Sequence, residues 1–116
     1  MSVDVDGLVK KYIEAWNTTD LDTRRSLLGE VFTETGRYTD PQADVTGVEN
    51  LVTHLTAERA AFGDLMFDLV KVVSVHHETL LFTWRLGVPG GDPVATGYDA
   101  VIVAEGKFQQ VYGYFD

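Results

Sequence analysis

The feature that most constrains the fold is a change in the hydrophobic period of the sequence at Gly63. Before Gly63, apolar residues recur every three or four positions, which is the period of an amphipathic helix. After Gly63, runs rich in β-branched and aromatic residues are separated by short turn sequences, which is typical of strands. We therefore expect an α+β protein in which three helices pack on a curved, mainly antiparallel sheet.

The first two helices are predicted from their apolar spacing. Tyr12 lies in the middle of the first apolar stripe, with Leu8 and Trp16 one turn away on either side. Asp20 is suited to cap the second helix, whose apolar side ends at Phe32. The spacing thus predicts two consecutive amphipathic helices.

A third helix is predicted between Thr46 and Gly63. Thr46 and Glu49 have the spacing of a capping box, which would start the helix. Gly63 is expected to end it, because glycine is common just after the last helical turn. Within this helix, His54 and Glu58 lie one turn apart on the edge of the apolar face.

The extended segments are predicted to form a meander. One segment, from Thr35 to Asp40, precedes the third helix and is followed by a loop over residues 41–45. Four longer strands are expected after Gly63, over residues 66–75, 79–88, 94–104 and 107–115. Their short connections predict antiparallel pairing of neighbours in sequence.

One face of this sheet must be covered by the helices, which leaves the other face free. Side chains alternate between the two faces of a strand, and this places Tyr98, Tyr112 and Tyr114 on the free face. We expect this outer face to form a homodimer contact.

Composition and charge narrow the possible partners. The 116 residues are expected to form one domain spanning 1–116. The net charge of −9 argues against nucleic acid or an anionic membrane as a partner. A neutral or weakly polar ligand fits this charge better. The absence of cysteine excludes disulfides and thiolate chemistry. We expect no signal peptide and no membrane span, and hence a cytoplasmic protein.

Asp40 is the first candidate for chemistry. It precedes Pro41, and a residue before proline favours extended conformations, so Asp40 should end a strand. A carboxylate at a strand end could act on a ligand. Asp and Pro are also common turn residues, so a purely structural interpretation stays open.

Asp99 and Tyr12 each allow two interpretations. Asp99 stands in a predicted strand on the same face as Val101 and Val103. It therefore either points to water or is buried with a raised pKa. Tyr12 lies on an apolar helix stripe, where most tyrosines are core residues whose hydroxyl finds a partner.

Other polar motifs give weaker signals. His54 on a helix flank is more often a structural histidine than a base. The run His76-His77-Glu78 is better explained as an exposed turn than as a metal site, so no metal is expected. Nothing in the sequence matches a nucleophile elbow, a phosphate loop or a dinucleotide fingerprint.

Five short segments together resemble a known family. They are Tyr-Ile-Glu-Ala-Trp-Asn at 12–17, Tyr-Thr-Asp-Pro at 38–41, Gly-Val-Glu-Asn-Leu at 47–51, Gly-Lys at 106–107 and Tyr-Gly-Tyr-Phe-Asp at 112–116. The sequence resembles the nuclear transport factor 2-like superfamily, in its SnoaL-like polyketide cyclase branch. This resemblance implies a cone-shaped α+β fold, and a fold of this kind hosts enzymes, binding proteins and transport factors.

Within that superfamily, the site is most similar to that of ketosteroid isomerase. The resemblance implies that Asp40 is the general base, and that Tyr12 and Asp99 donate hydrogen bonds to the oxyanion. His54 and Trp16 depart from the isomerase pattern, and His54 would serve as an auxiliary polar group of a cyclase or dehydratase.

Residues from one helix and three strands would complete the site. The residues expected to line a hydrophobic pocket are Trp16, Phe82, Trp84, Val101, Val111 and Phe115. No metal or organic cofactor is implied. The leading hypothesis is an isomerase or cyclase that removes a proton next to a carbonyl of a hydrophobic ligand. The alternative is a non-catalytic ligand-binding or dimerisation domain of the same fold.

Overall fold

The computed structural model describes residues 4–116 and shows three helices and six strands. The helices are α1 (Val5–Asn17), α2 (Leu21–Val31) and α3 (Val48–Phe62). The strands are β1 (Phe32–Asp40), β2 (Ala43–Thr46), β3 (Met66–His76), β4 (Thr79–Gly87), β5 (Pro93–Ala104) and β6 (Lys107–Phe115). Residues 1–3, part of the segment in which no signal peptide is expected, lie outside the described residues.

The strands form one open sheet in the order β2-β1-β6-β5-β4-β3. The meander predicted for the C-terminal half is confirmed, because β3, β4, β5 and β6 pair antiparallel in sequence order. Strand β1 pairs with β6 in parallel, which brings the first strand beside the last. The register shifts within the β3–β4, β4–β5 and β5–β6 pairs, and bulge-like irregularities of this kind bend and twist a sheet. The α+β architecture with a curved, mainly antiparallel sheet is thereby confirmed.

The three helices are joined by a buried arginine. Arg24 on α2 donates from Nε to the carbonyl oxygen of Ala15 at 2.9 Å and from Nη1 to Oγ1 of Thr56 at 3.1 Å. A further hydrogen bond runs from Arg24 to the carbonyl oxygen of Thr18. Since a buried guanidinium needs partners for its N–H groups, these bonds fix α1, α2 and α3 relative to one another.

The helix ends agree with those predicted from the sequence, except for the cap at the start of α3. Asp20 caps α2 by accepting a hydrogen bond from the backbone of Thr23 at 2.8 Å, as predicted. The predicted capping box at the start of α3 is wrong. Thr46 belongs to β2 and pairs with Arg37, and the N-cap of α3 is Gly47, at a φ of 93°. A left-handed φ of this kind favours glycine.

The segment after Asp40 also differs from the prediction. The sequence predicts a loop over residues 41–45, but β2 begins at Ala43 and pairs antiparallel with β1. The ion pair between Arg37 and Asp44 spans this hairpin, with nitrogen–oxygen distances of 2.9 and 2.8 Å. The hairpin holds the end of β1 in place, and with it Asp40.

The outer face of the sheet carries the expected tyrosines. Tyr98, Tyr112 and Tyr114 are all exposed, the last by 55% of its surface. In the described part of the chain, no helix is long and apolar enough to cross a membrane.

Candidate active site

A cavity of about 250 Å³ lies between the helices and the sheet. Its aromatic walls come from two helices and three strands, and consist of Trp16, Phe62, Phe67, Trp84 and Phe115. Its polar side chains are Tyr12, Tyr38, Asp40, Gln42, His54, Glu58 and Asp99. An apolar cavity with a few converging polar groups is the usual form of a small-molecule site.

Asp40 enters the cavity from the end of β1, together with Tyr38. The two side chains lie on the same face of the strand because they are two residues apart. The Tyr38 hydroxyl donates a hydrogen bond to Oδ2 of Asp40 at 2.6 Å, and the backbone N–H of Gln42 donates to Oδ1 at 2.8 Å. Each oxygen of this half-buried carboxyl group therefore accepts one hydrogen bond from the protein.

Asp99 enters from the middle of β5, where the alternation of the strand turns it inward. Its neighbours on that face, Gly97 and Val101, are buried, and Asp99 itself is only 5% exposed. Nε1 of Trp84 donates a hydrogen bond to Oδ1 of Asp99 at 3.2 Å. Gly97 leaves room for this indole, because a Cβ atom at that position would collide with the Trp84 ring.

Burial raises the pKa of the Asp99 carboxyl group to about 7. Hydrogen bonds from Trp84 and Tyr12 favour the charged form and oppose this shift, while the nearby Asp40 adds to it. Close to neutral pH, a large share of the molecules therefore carries a proton on Asp99.

Asp40 and Asp99 meet around Gly113 of β6. This strand lies between β1 and β5, and Gly113 is directly paired with Asp99. A Cβ atom built on Gly113 would lie 3.3 Å from Cβ of Asp40, Oδ1 of Asp99 and the hydroxyl of Tyr38. The missing side chain of residue 113 is thus the gap across which the two acids face each other.

Tyr12 approaches this gap from α1. Its ring is 2% exposed and packs against Phe32, Phe82 and Phe108 at centroid distances of 5.7–6.0 Å. Burial raises the pKa of the Tyr12 hydroxyl well above its usual value, and the negative charge of Asp99 raises it further. Tyr12 is therefore a neutral hydrogen-bond donor over the physiological pH range.

Two polar side chains of α3 line the same cavity. His54 packs against Trp16 at a centroid distance of 6.1 Å and against Tyr38 at 5.9 Å. Glu58 follows one turn later and also faces the cavity. Within residues 4–116, no lysine or arginine lines this space, so its charged groups are acids.

Most of the residues singled out from the sequence lie in this cavity. Its lining contains Tyr12, Asp40, His54 and Asp99, and also Trp16, Trp84 and Phe115. The other three residues assigned to the pocket, Phe82, Val101 and Val111, are buried in the core and are not part of the lining.

Sequence reasoning missed several cavity residues, chiefly Tyr38, Gln42, Phe67 and Glu58. The position of Tyr38 two residues before Asp40 on a predicted strand was a usable signal, because such residues share a face. In the part of the chain that the structure describes, no group of three His, Asp or Glu side chains could hold a metal ion.

Comparison with known proteins identifies the family. Residues 9–111 match the model of the SnoaL-like domain. A protein from Agrobacterium tumefaciens str. C58, assigned as an isomerase of the SnoaL-like family, is 34% identical with a TM-score of 0.88, over 95% of both chains. No curated protein matches this sequence.

More distant structures share the fold. A protein from Sinorhizobium meliloti, assigned as a polyketide cyclase, is 19% identical with a TM-score of 0.74, over 95% of both chains. A protein from Kribbella flavida DSM 17836, assigned as a ketosteroid isomerase, is 18% identical with a TM-score of 0.73, over 98% of this chain and 81% of its own. From the matched domain and the Agrobacterium structure together, the chain belongs to the SnoaL-like family, within the NTF2-like fold.

Proposed function

We propose that this protein is an enzyme that removes a proton next to a carbonyl group of a small, neutral, hydrophobic ligand. The observation that carries the proposal is the meeting of Asp40 and Asp99 around Gly113, in opposite environments. Two acids in environments that separate their protonation states can act as base and as hydrogen-bond donor in one reaction.

Asp40 is the proposed base. It is half-buried beside the cavity, and each of its oxygens accepts one hydrogen bond from a protein donor and keeps further acceptor capacity. In the proposed step, the C–H bond next to the carbonyl breaks, its proton moves to Asp40, and the electron pair forms an enolate.

Tyr12 and Asp99 are the proposed donors to the enolate oxygen. The hydroxyl of Tyr12 and the protonated carboxyl of Asp99 can each donate one hydrogen bond to this oxygen, where negative charge develops. Because both groups are buried, these bonds act in a medium that screens charge poorly, which makes them stronger than in water.

Asp40 then returns the proton to a different carbon, which completes an isomerisation. If the enolate carbon instead attacks a second carbonyl of the same ligand, a new carbon–carbon bond closes a ring, and Asp40 supplies the proton to the product oxygen. His54, which also lines the cavity, is the proposed auxiliary polar group for such a cyclisation or for loss of water.

The cavity lining indicates the class of ligand. It presents acids and no cationic side chain among the described residues, so a carboxylate or phosphate ligand would be repelled. Aromatic walls favour flat apolar rings. A volume of about 250 Å³ is below the roughly 300–1,000 Å³ of sites for drug-sized ligands, which favours one or two rings.

A second candidate function is binding without catalysis. The aromatic lining supports it, because the same walls would hold an apolar ligand whether or not Asp40 acts on it.

We also propose that the outer face carrying Tyr98, Tyr112 and Tyr114 forms a homodimer contact, since three exposed tyrosines lie together on it. The cytoplasmic location stays a prediction.

The test is isomerisation of a one-ring β,γ-unsaturated ketone, followed by the absorbance of the conjugated product. We expect turnover by the wild type and a loss of about 10²–10⁴-fold in Asp40→Asn, since that is the usual contribution of a general base. Asp64→Asn is a matched control, because Asp64 is an exposed acid after α3 and does not line the cavity. Equal rates for wild type and Asp40→Asn would remove Asp40 from the mechanism and leave the binding function.

A further inference from the structure

The hydroxyl of Tyr38 makes the shortest hydrogen bond to Asp40. Its distance of 2.6 Å to Oδ2 lies in the range of charge-assisted O–H···O⁻ bonds, which are about twice as strong as neutral ones. Tyr38 is only 5% exposed, so this bond is shielded from bulk water. The nearest protein donor to the proposed base is therefore a buried side chain.

The ring of Tyr38 is fixed from several sides. Trp16 packs against it at a centroid distance of 5.6 Å, in an edge-to-face arrangement, and His54 lies at 5.9 Å. Its backbone is paired with Val45 of β2 on one side and with Val111 of β6 on the other. A hydroxyl held in this way donates without losing further conformational freedom.

The carboxyl group of Asp40 is consequently held at both oxygens. Tyr38 engages Oδ2, and the N–H of Gln42, in the turn after Pro41, engages Oδ1 at 2.8 Å. A turn of this kind orients an aspartate through its own backbone. Alone it would leave Oδ2 without a protein donor, and Tyr38 supplies that second point of attachment.

We propose that Tyr38 is a positioning residue, which holds the Asp40 carboxylate in the orientation required to receive a proton from the ligand. This inference rests on the proposed role of Asp40 as the base. Tyr38 does not give up its own proton, because burial raises the pKa of its hydroxyl far above the physiological range. It therefore remains a donor to Asp40 at every pH at which the protein works.

The other titratable groups that face Asp40 come from different elements. They are Asp99 of β5, Tyr12 of α1, and His54 and Glu58 of α3, while β6 contributes Gly113. None of these is removed when the Tyr38 hydroxyl alone is deleted. A donor to the charged form of an acid favours that form, so deleting it should make Asp40 take up a proton at higher pH.

The experiment compares wild type with Tyr38→Phe, which keeps the ring and removes the hydroxyl. The protonation midpoint of the residue-40 carboxyl is measured by carbon-13 NMR without ligand, with the signal assigned through Asp40→Asn. We expect the midpoint to rise in Tyr38→Phe, because one hydrogen bond to the charged form of the acid is lost. Ser74→Ala, which removes an exposed hydroxyl of β3 outside the cavity lining, is the control and should leave the midpoint unchanged.

Activity gives a second readout. In Tyr38→Phe, the acid limb of the pH profile of kcat/KM for the β,γ-unsaturated ketone should move to higher pH, in the same direction as the NMR midpoint. We also expect kcat to fall about 10-fold or more, with KM little changed. A residue that only packs against Asp40 would move neither the limb nor the midpoint. An unchanged midpoint overturns the inference.

These measurements separate the two proposals. If wild type and Asp40→Asn are equally inactive, the proposed function fails, whereas the NMR midpoint still decides whether Tyr38 controls the carboxylate. If Tyr38→Phe does not fold, site-specific Tyr38→3-fluorotyrosine keeps the shape of the side chain and makes its hydroxyl a stronger donor. The midpoint should then fall, and an unchanged or raised value overturns the inference.

Discussion

Asp40 and Asp99 face the same cavity, yet their surroundings differ in almost every respect. Asp40 stands at a strand end, half-buried, with an O–H donor and a backbone N–H donor within 2.8 Å. Asp99 stands in mid-strand, 5% exposed, with one indole donor at 3.2 Å. Position along a strand therefore decides both how deeply an acid is buried and which donors reach it.

The difference has a simple physical origin. A strand end followed by a turn offers free backbone N–H groups, and Gln42 supplies one of them to Asp40. In mid-strand, the backbone groups around Asp99 are already paired with β4 and β6, so the side chain must find its partners elsewhere. The side-chain donors that reach it, Trp84 and Tyr12, only partly offset the cost of burying its charge, so Asp99 keeps its proton more readily.

The largest effect is expected when the carboxylate of the proposed base is removed. Asp40→Asn should reduce kcat/KM by about 10²–10⁴-fold, since an amide cannot accept the proton. Asp99→Asn keeps an N–H donor in the cavity and should lose only about 10-fold, less than the loss of a whole oxyanion donor. Steady-state kinetics on the same ketone compare the two variants. An equal or larger loss in Asp99→Asn would reverse the proposed roles.

The next prediction concerns a substitution that fills the gap between the two acids. Gly113→Ala would place a Cβ atom 3.3 Å from Asp40, Asp99 and Tyr38. We expect activity to fall about 10²-fold or more, since a small misplacement of catalytic groups is costly. The free energy of unfolding should fall by about 1–3 kcal/mol, because the neighbours must move. Urea denaturation and kinetics measure both effects.

A matched control for this change lies in α2. A Cβ atom added at Gly29 would have no heavy atom within 4 Å, so Gly29→Ala meets open space. It should stabilise the helix by up to about 1 kcal/mol and leave activity unchanged. If Gly113→Ala behaved like Gly29→Ala, the two acids would not depend on the gap at residue 113.

A smaller effect concerns stability and pH. Because the folded state raises the pKa of Asp99 from 3.8 to about 7, the folded state binds this proton more tightly than the unfolded chain. The stabilisation is complete below about pH 4 and is lost as the pH rises through about 7. Between pH 5 and 8, the loss through Asp99 should be about 2–3 kcal/mol.

Urea denaturation of wild type and Asp99→Asn at several pH values measures this loss. The variant cannot titrate at residue 99 and should not lose this stabilisation. Its free energy of unfolding relative to that of the wild type should therefore rise by the same amount between pH 5 and 8. Asp64→Asn, at an exposed acid after α3, should run parallel to wild type. Parallel curves for Asp99→Asn would mean that Asp99 is not protonated in the folded state.

The same comparison explains how much of the site could be predicted from sequence. The rule for residues before proline predicted Asp40 at a strand end, and alternation with Val101 favoured an inward-facing Asp99. What neither pattern contains is the parallel pairing of β1 with β6, which brings Gly113 between the two acids. That pairing joins distant parts of the chain and depends on tertiary packing.

The position of a side chain along the length of its strand could also not be predicted from the sequence. Phe82 and Trp84 share a face by alternation, yet Trp84 lines the cavity, whereas Phe82 packs against Tyr12 in the core. The period of a strand gives the face of a side chain but not its distance from the open end of the sheet. Strand β2 was missed for a different reason, because its four residues are too short to show a period.

Titration of the Asp99 carboxyl group itself tests directly whether this acid is a protonated donor. Carbon-13 NMR of aspartate-labelled protein, with the signal assigned through Asp99→Asn, reports its protonation without ligand or turnover. We expect a midpoint near pH 7, with the proton largely retained at about pH 6. A midpoint of about 4, as in an exposed aspartate, would contradict the assignment of Asp99 as a protonated donor beside the base.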